Sequence, residues 1–262
     1  MKPVPQQEKV RPSRSMVLTA LGVLILPVIV LTTYLLWRID VVPGVWDIQH
    51  WGRDMVQEAE TARVAHRDER LAGFRSEATP PGAVVFLGSS TLERLPIELM
   101  FGAVPGLNRG VGDEDAAELL ERLDVGIDWS AVAGSVLYVG SVDLRRLTVE
   151  PEVVAVRAAR VVDAVLTRAP GKPVLLLGLL SERGLTETGR QRLESTNTLL
   201  GKLAAERGLT FLATDKPPLN SRAGRLEPRY SADRLHLNTQ GYQVLSNWIR
   251  QDGGALAPLL TP

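Results

Sequence analysis

Short uncharged runs alternate with longer amphipathic stretches over most of this chain, and that alternation carries the fold prediction. Val84, Val85, Phe86 and Leu87 form an unbroken apolar run that stops at Gly88-Ser89-Ser90. Such a run reads as a strand buried on both faces, as in a parallel sheet. Further strand-like runs lie at Leu107–Arg109, Ser135–Val139, Pro173–Gly178 and Leu209–Ala213. Between and after them, Asp115–Leu123, Pro151–Arg168, Thr186–Arg207 and Thr239–Arg250 have helical periodicity. Strands alternating with helices predict an open parallel sheet covered on both faces.

The amino-terminal part is patterned differently. Residues 1–15 are polar and basic, with Lys2, Lys9, Arg11 and Arg14 opposed only by Glu8. Met16–Trp37 then runs for 22 residues without a charge. As a helix it would be about 33 Å long, enough to cross a bilayer, and Tyr34 and Trp37 fall where an interfacial aromatic belt belongs. No small-x-small cleavage site follows, so an uncleaved single-pass anchor is expected. The basic excess places the amino end in the cytoplasm and residues 38 onward outside the cell (inner) membrane. Residues 38–82 form a connector in which Trp46–Ser76 reads as a loosely amphipathic helix, a stalk or a packed element, with Met55, Ala59, Ala62 and Val64 among its apolar positions. Thr79-Pro80-Pro81-Gly82 closes it, and the α/β domain is expected over 83–262.

Composition narrows the classes. The chain has 262 residues, 45% hydrophobic and 23% charged, so it can bury a sizeable core. Thirty basic residues balance thirty acidic ones, which gives no support to a nucleic-acid partner. Without cysteine, disulfides and thiolate metal sites are excluded. The three histidines are His50, His66 and His236, and no clustered ligand set calls for a metal. No cofactor is implied.

Two stretches carry candidate chemistry. A serine lifted by Gly88 above the carboxyl edge of the sheet, at a helix amino end, meets unpaired N–H groups that favour a developing anion. The plainer reading is that Ser89 or Ser90 caps the helix. Later, Asp233 and His236 stand three apart in a polar loop before Asn238, a helix-cap residue. A carboxylate so placed can hold one imidazole nitrogen and leave the other to take a proton from a serine. By itself the pair also reads as a solvated loop histidine with an acidic neighbour.

The order of four blocks resembles the SGNH (GDSL-type) esterase and lipase family over roughly residues 83–250. The blocks are Gly88-Ser89-Ser90, LNRGVGDEDAAELLERL at 107–123, VLYVGSVDL at 136–144 and DRLHLNTQGY at 233–242. The resemblance implies a flavodoxin-like three-layer α/β/α sandwich with a five-stranded parallel sheet of order 2-1-3-4-5, here preceded by one transmembrane helix. It implies Ser90 as nucleophile, His236 as base and Asp233 as its orienting carboxylate. It places the oxyanion-binding N–H groups on Ser90 and on Gly112 or Asp113. Ser89 stands where the family usually has aspartate, and two further departures fall in the oxyanion hole. Asp113 stands where glycine is usual, and Val142 where an asparagine side chain donates a hydrogen bond.

These readings imply a membrane-anchored extracytoplasmic serine esterase acting on a small-molecule, glycan or lipid ester, O-acetyl groups included, with a reduced oxyanion hole. The alternatives are an O-acyltransferase on an envelope glycan and an inactive glycan- or protein-binding module.

Overall fold

A computed structural model describes residues 28–32, 34, 45–147 and 149–261. The chain divides into two compact units, Met1–Thr61 and Ala62–Pro262. In the first, residues 28–32 and 34 are helical. Among the described residues no helix is long and apolar enough to cross a membrane. Residues 1–15 and the rest of the expected 16–37 span lie outside the described residues.

Helix α1 (Val45–Ser76) is the predicted connector helix. Its apolar positions do not behave as the loose pattern suggested, since Met55 and Val64 are exposed. Among the described side chains of this helix, Leu71 and Phe74 are the buried apolar ones, in a small cluster with Val111. The Arg70 and Arg109 guanidinium groups lie over the Phe74 ring at 4.8 and 4.7 Å. The compact unit therefore takes in the end of this helix, including His66, which the sequence pattern had left in the connector.

Five parallel strands follow: β1 (Ala83–Gly88), β2 (Gly106–Gly110), β3 (Val132–Tyr138), β4 (Val174–Leu177) and β5 (Thr210–Leu212). Their order is β2-β1-β3-β4-β5, as the resemblance implied. Every residue of β1 is buried, because it has a strand on each side and helices above and below. Helix α2 (Ser90–Glu93), the helix expected after the serine turn, and α3 (Ile97–Phe101), which the periodicity missed, connect β1 to β2. Each is shorter than two turns, too short for a 3.6-residue pattern to show. Helix α4 (Ala116–Glu121) leads to β3, and α5 (Ser141–Arg145) with α6 (Pro151–Arg168) leads to β4. Helix α7 (Glu187–Glu206) precedes β5, and α8 (Thr239–Asp252) follows it.

Helix α6 packs on α4 and α7, while α3 packs on α8. Right-handed crossovers require that separation, since the β1–β2 connection runs opposite to the later ones and takes its helices to the other face. Val85, Phe86, Leu137 and Leu175 are fully buried between the layers. Truncating such a leucine to alanine costs about 2–5 kcal/mol.

Register decides what reaches the sheet edge together. Gly88 is aligned with Gly110 of β2 and with Tyr138 of β3. The three loops that leave these strands therefore emerge at one level, around the switch point where ligands bind in open α/β sheets.

Candidate active site

Gly88 permits the first of these loops. A Cβ there would sit 2.3 Å from the Tyr138 carbonyl oxygen, so any other residue would push β1 and β3 apart. Ser89 is the N-cap of α2, but its side chain makes no capping bond. Its hydroxyl instead pairs with the Ser141 hydroxyl at 3.0 Å, both residues being buried. The cap reading thus holds for the Ser89 backbone, whose carbonyl accepts from Leu92 and Glu93, and for neither serine side chain.

Ser90 Oγ lies 3.0 Å from His236 Nε2, and His236 Nδ1 lies 2.7 Å from Asp233 Oδ2. The three residues named from the sequence are therefore brought into one hydrogen-bonded chain. An ionised carboxylate only accepts, so Nδ1 carries the proton and Nε2 offers its lone pair to the Ser90 hydroxyl. Asp233 Oδ1 accepts from the N–H groups of Leu235 and His236 at 2.7 and 2.8 Å, which locks the loop that presents the ring. Burial opposes the charge on Asp233, but the His236 N–H, its imidazole and the Leu235 N–H outweigh it and hold the carboxyl well below the usual range. Arg94, the C-cap of α2, approaches the same carboxylate at 3.7 Å.

Helix α8 secures the loop from the other side. Asn238 caps it by accepting from Gly241 N–H at 3.0 Å, and the Tyr242 hydroxyl donates to the Thr91 carbonyl at 2.8 Å. Thr91 follows Ser90, so the histidine loop and the serine helix are tied by a buried bond.

The second loop contains Gly112 and Asp113. Asp113 is the one non-glycine residue with positive φ among those described, at 56°, the conformation where the family uses glycine. Its carboxylate turns to Arg146 at 3.2 Å. The N–H groups of Gly112 and Asp113 have no hydrogen-bond partner among the described residues. In the third loop Gly140 adopts φ 100° and starts α5, and Val142 is buried beside it with no donor to offer.

Three features escaped the sequence. Asp143 is fully buried and accepts from Ala116 N–H at 3.0 Å and from Arg157 at 2.8 Å, joining the second and third loops. Asn108 donates to the carbonyls of Leu92 and Glu93, so β2 also braces the serine helix. His66 Nε2 lies 2.8 Å from Glu93 Oε1. Each partner lies elsewhere in the sequence, and only Asp143 and Asn108 had a visible signal, a polar residue inside a family block. Among the described residues no cluster of three metal-ligating side chains occurs.

The GDSL-like Lipase/Acylhydrolase family profile matches residues 68–244. The chain belongs to this family. Its start at residue 68 agrees with the packing of the α1 end onto the α/β unit. No match was found among curated proteins. Among solved structures, a candidate platelet activating factor from Streptococcus pneumonia is 24% identical, with TM-score 0.68, covering 76% of this chain and 98% of that one. A candidate acylhydrolase from Bacteroides fragilis is 22% identical, with TM-score 0.60, covering 70% and 93%. An acetyl-xylooligosaccharide esterase from Geobacillus is 15% identical, with TM-score 0.52, covering 68% and 97%. At these identities the likeness concerns the fold, and the family assignment rests on the profile.

Proposed function

We propose that this GDSL-family protein is a serine carboxylic-ester hydrolase. Family membership supports acylhydrolase chemistry, and the Ser90–His236–Asp233 hydrogen-bonded chain is the observation that carries the finer reading. Ser90 Oγ attacks the ester carbonyl while His236 Nε2 takes its proton, forming a tetrahedral oxyanion. Collapse expels the alcohol, which receives that proton from His236. Water then attacks the acyl-enzyme by the same exchange and releases the acid. Asp233 holds the ring and stabilises the imidazolium. The N–H groups of Ser90 and of Gly112 or Asp113 are the oxyanion donors in this reading. Acetyl esters are favoured by analogy with the acetyl-xylooligosaccharide esterase among the structural neighbours, and lipid esters by the family's lipase description.

A fluorophosphonate probe tests the nucleophile. Labelling of the wild type but not of Ser90→Ala is expected, and an unlabelled wild type would favour a binding module. Val142 is the observation on that second side, because a site without the amide stabilises an oxyanion less. The proposal extends to placement: residues 16–37 anchor the chain and the α/β unit lies outside the cytoplasm. The flanking charge pattern supports it. Activity from a cytoplasmic reporter alone, fused at the carboxyl end, would contradict it.

A further inference from the structure

A cavity of about 510 Å³ opens beside the candidate triad, with Ser141 at one side and Arg234 at another. Ser141 is the hydroxyl partner of Ser89, which precedes Ser90, and Arg234 follows Asp233 in the histidine loop, so the cavity is bounded on two sides by immediate neighbours of the candidate triad. Three arginines line it, Arg145 from α5, Arg192 from α7 and Arg234, against a single acid, Glu182. The remaining wall is largely leucine, including Leu144, Leu180 and Leu193.

Arg145 and Arg234 are not neutralised by an ion pair among the described residues. Arg145 Nε donates to the Ser141 carbonyl at 3.2 Å, while its Nη1 is buried without a hydrogen-bond partner. Arg192 Nη2 donates to the Val149 carbonyl at 2.7 Å. Among the described residues no carboxylate lies within ion-pair distance of Arg145 or Arg234, whereas Arg146, Arg157, Arg168, Arg190 and Arg207 all have one. A buried guanidinium N–H left unpaired is costly. Three cations converging on one half-apolar cavity form a receptor for an anion with hydrocarbon attached.

The geometry points to an ester substrate that carries an anionic group, carboxylate or phosphate, seated on Arg145, Arg192 and Arg234 while its ester lies at Ser90. The inference rests on the esterase reading. It goes beyond it by naming the charge that separates good substrates from poor ones. The cavity volume suits a small ligand group rather than a polymer chain.

Acetate or succinate release from three glycerol esters tests it: glyceryl monoacetate, acetyl glycerol 3-phosphate and the glyceryl half ester of succinic acid. At low salt, kcat/KM for at least one anionic ester should exceed that for the neutral one by about tenfold to a hundredfold. Which one wins separates phosphate on the alcohol side from carboxylate on the acyl side. Arg145→Gln and Arg234→Gln, on different elements, should each bring the anionic-to-neutral ratio towards unity. Equal or better use of the neutral ester by the wild type overturns the proposal, as does an anionic advantage that survives both substitutions. Calorimetry of the uncleaved esters on Ser90→Ala gives a second reading that needs no turnover. If no ester is hydrolysed but the anionic ones still bind through the arginines, the esterase reading fails and the anion site stands. If the esters are hydrolysed without charge preference in rate or binding, the anion site fails and the esterase reading stands.

Discussion

The loop after β2 and the loop after β3 stand at the same height beside Ser90, and each departs from its family pattern, with different consequences. In the first, aspartate replaces glycine at Asp113. The backbone still takes the left-handed conformation, and Arg146 draws the carboxylate aside at 3.2 Å. The N–H groups of Gly112 and Asp113 remain without partners among the described residues, and in the proposed mechanism that backbone array receives the oxyanion. In the second, valine replaces asparagine, and the lost group was the side chain itself. A function carried by the main chain survives a change of residue as long as φ and ψ are kept. A function carried by a side chain does not. Asp143 and Arg146 tie the two loops together, so the intact one cannot shift easily to compensate.

The largest expected effect tests whether either loop serves catalysis at all. Ser90→Ala should lower kcat for an acetyl ester by about four to six orders of magnitude. Asp233→Asn should cost about four orders, because the amide permits the wrong imidazole tautomer. Steady-state kinetics with active-site titration reads both, and a variant within tenfold of wild type would remove that residue from the mechanism.

Val142→Asn sharpens the comparison next. Returning a donor to the third loop should raise kcat by up to about a hundredfold with little change in KM, since the developing oxyanion needs it more than the ground-state carbonyl. The gain must vanish in combination with Ser90→Ala. No gain in a folded Val142→Asn protein would mean the loop does not face the reacting carbonyl.

The second loop predicts a pair of contrasting results. Asp113→Gly should leave kcat within about threefold and stability within about 1 kcal/mol, because the conformation is kept and the exposed ion pair is worth little. Asp113→Val places a β-branched residue at positive φ and should cost about 1–3 kcal/mol, with a fall in kcat as the N–H groups move. Urea unfolding and kinetics on both variants decide it. If both lower kcat equally, the carboxylate rather than the backbone matters.

The smallest effect concerns Asp233. Its carboxyl is held below the ordinary value in the folded chain, so the unfolded chain binds the proton more readily as pH falls below about 4. The charge-dependent stability is therefore present above that pH and lost below it. Wild type should exceed Asp233→Asn in urea midpoint at pH 5 by a margin that narrows at pH 3. With the side chain half-exposed, the margin should stay under about 1 kcal/mol. A gap that widens on acidification would reverse the sign of the argument.

The sequence alone determined the strands and the long helices. Pro151–Arg168 matches its helix end to end, and the apolar run Val84–Leu87 falls one residue short of β1 at each end. Burial on two faces and helical periodicity are written within windows of a few residues. The spacing of Asp233 and His236 is equally local, since three residues of turn suffice to bring carboxylate to ring. Strand order came from resemblance, because periodicity says nothing about which strands are neighbours. Tertiary structure decided the rest. Only the register of Gly88 with Gly110 and Tyr138 brings three loops to one level. The Tyr242–Thr91 bond joins residues 151 apart in the chain and, with the Arg94–Asp233 ion pair, fixes the histidine loop against the serine helix. The direction of the Asp113 carboxylate, the docking of Leu71 and Phe74, and the gathering of Arg145, Arg192 and Arg234 around one cavity depend on partners far apart in the chain. A charged side chain carries no local mark of which distant partner it will meet.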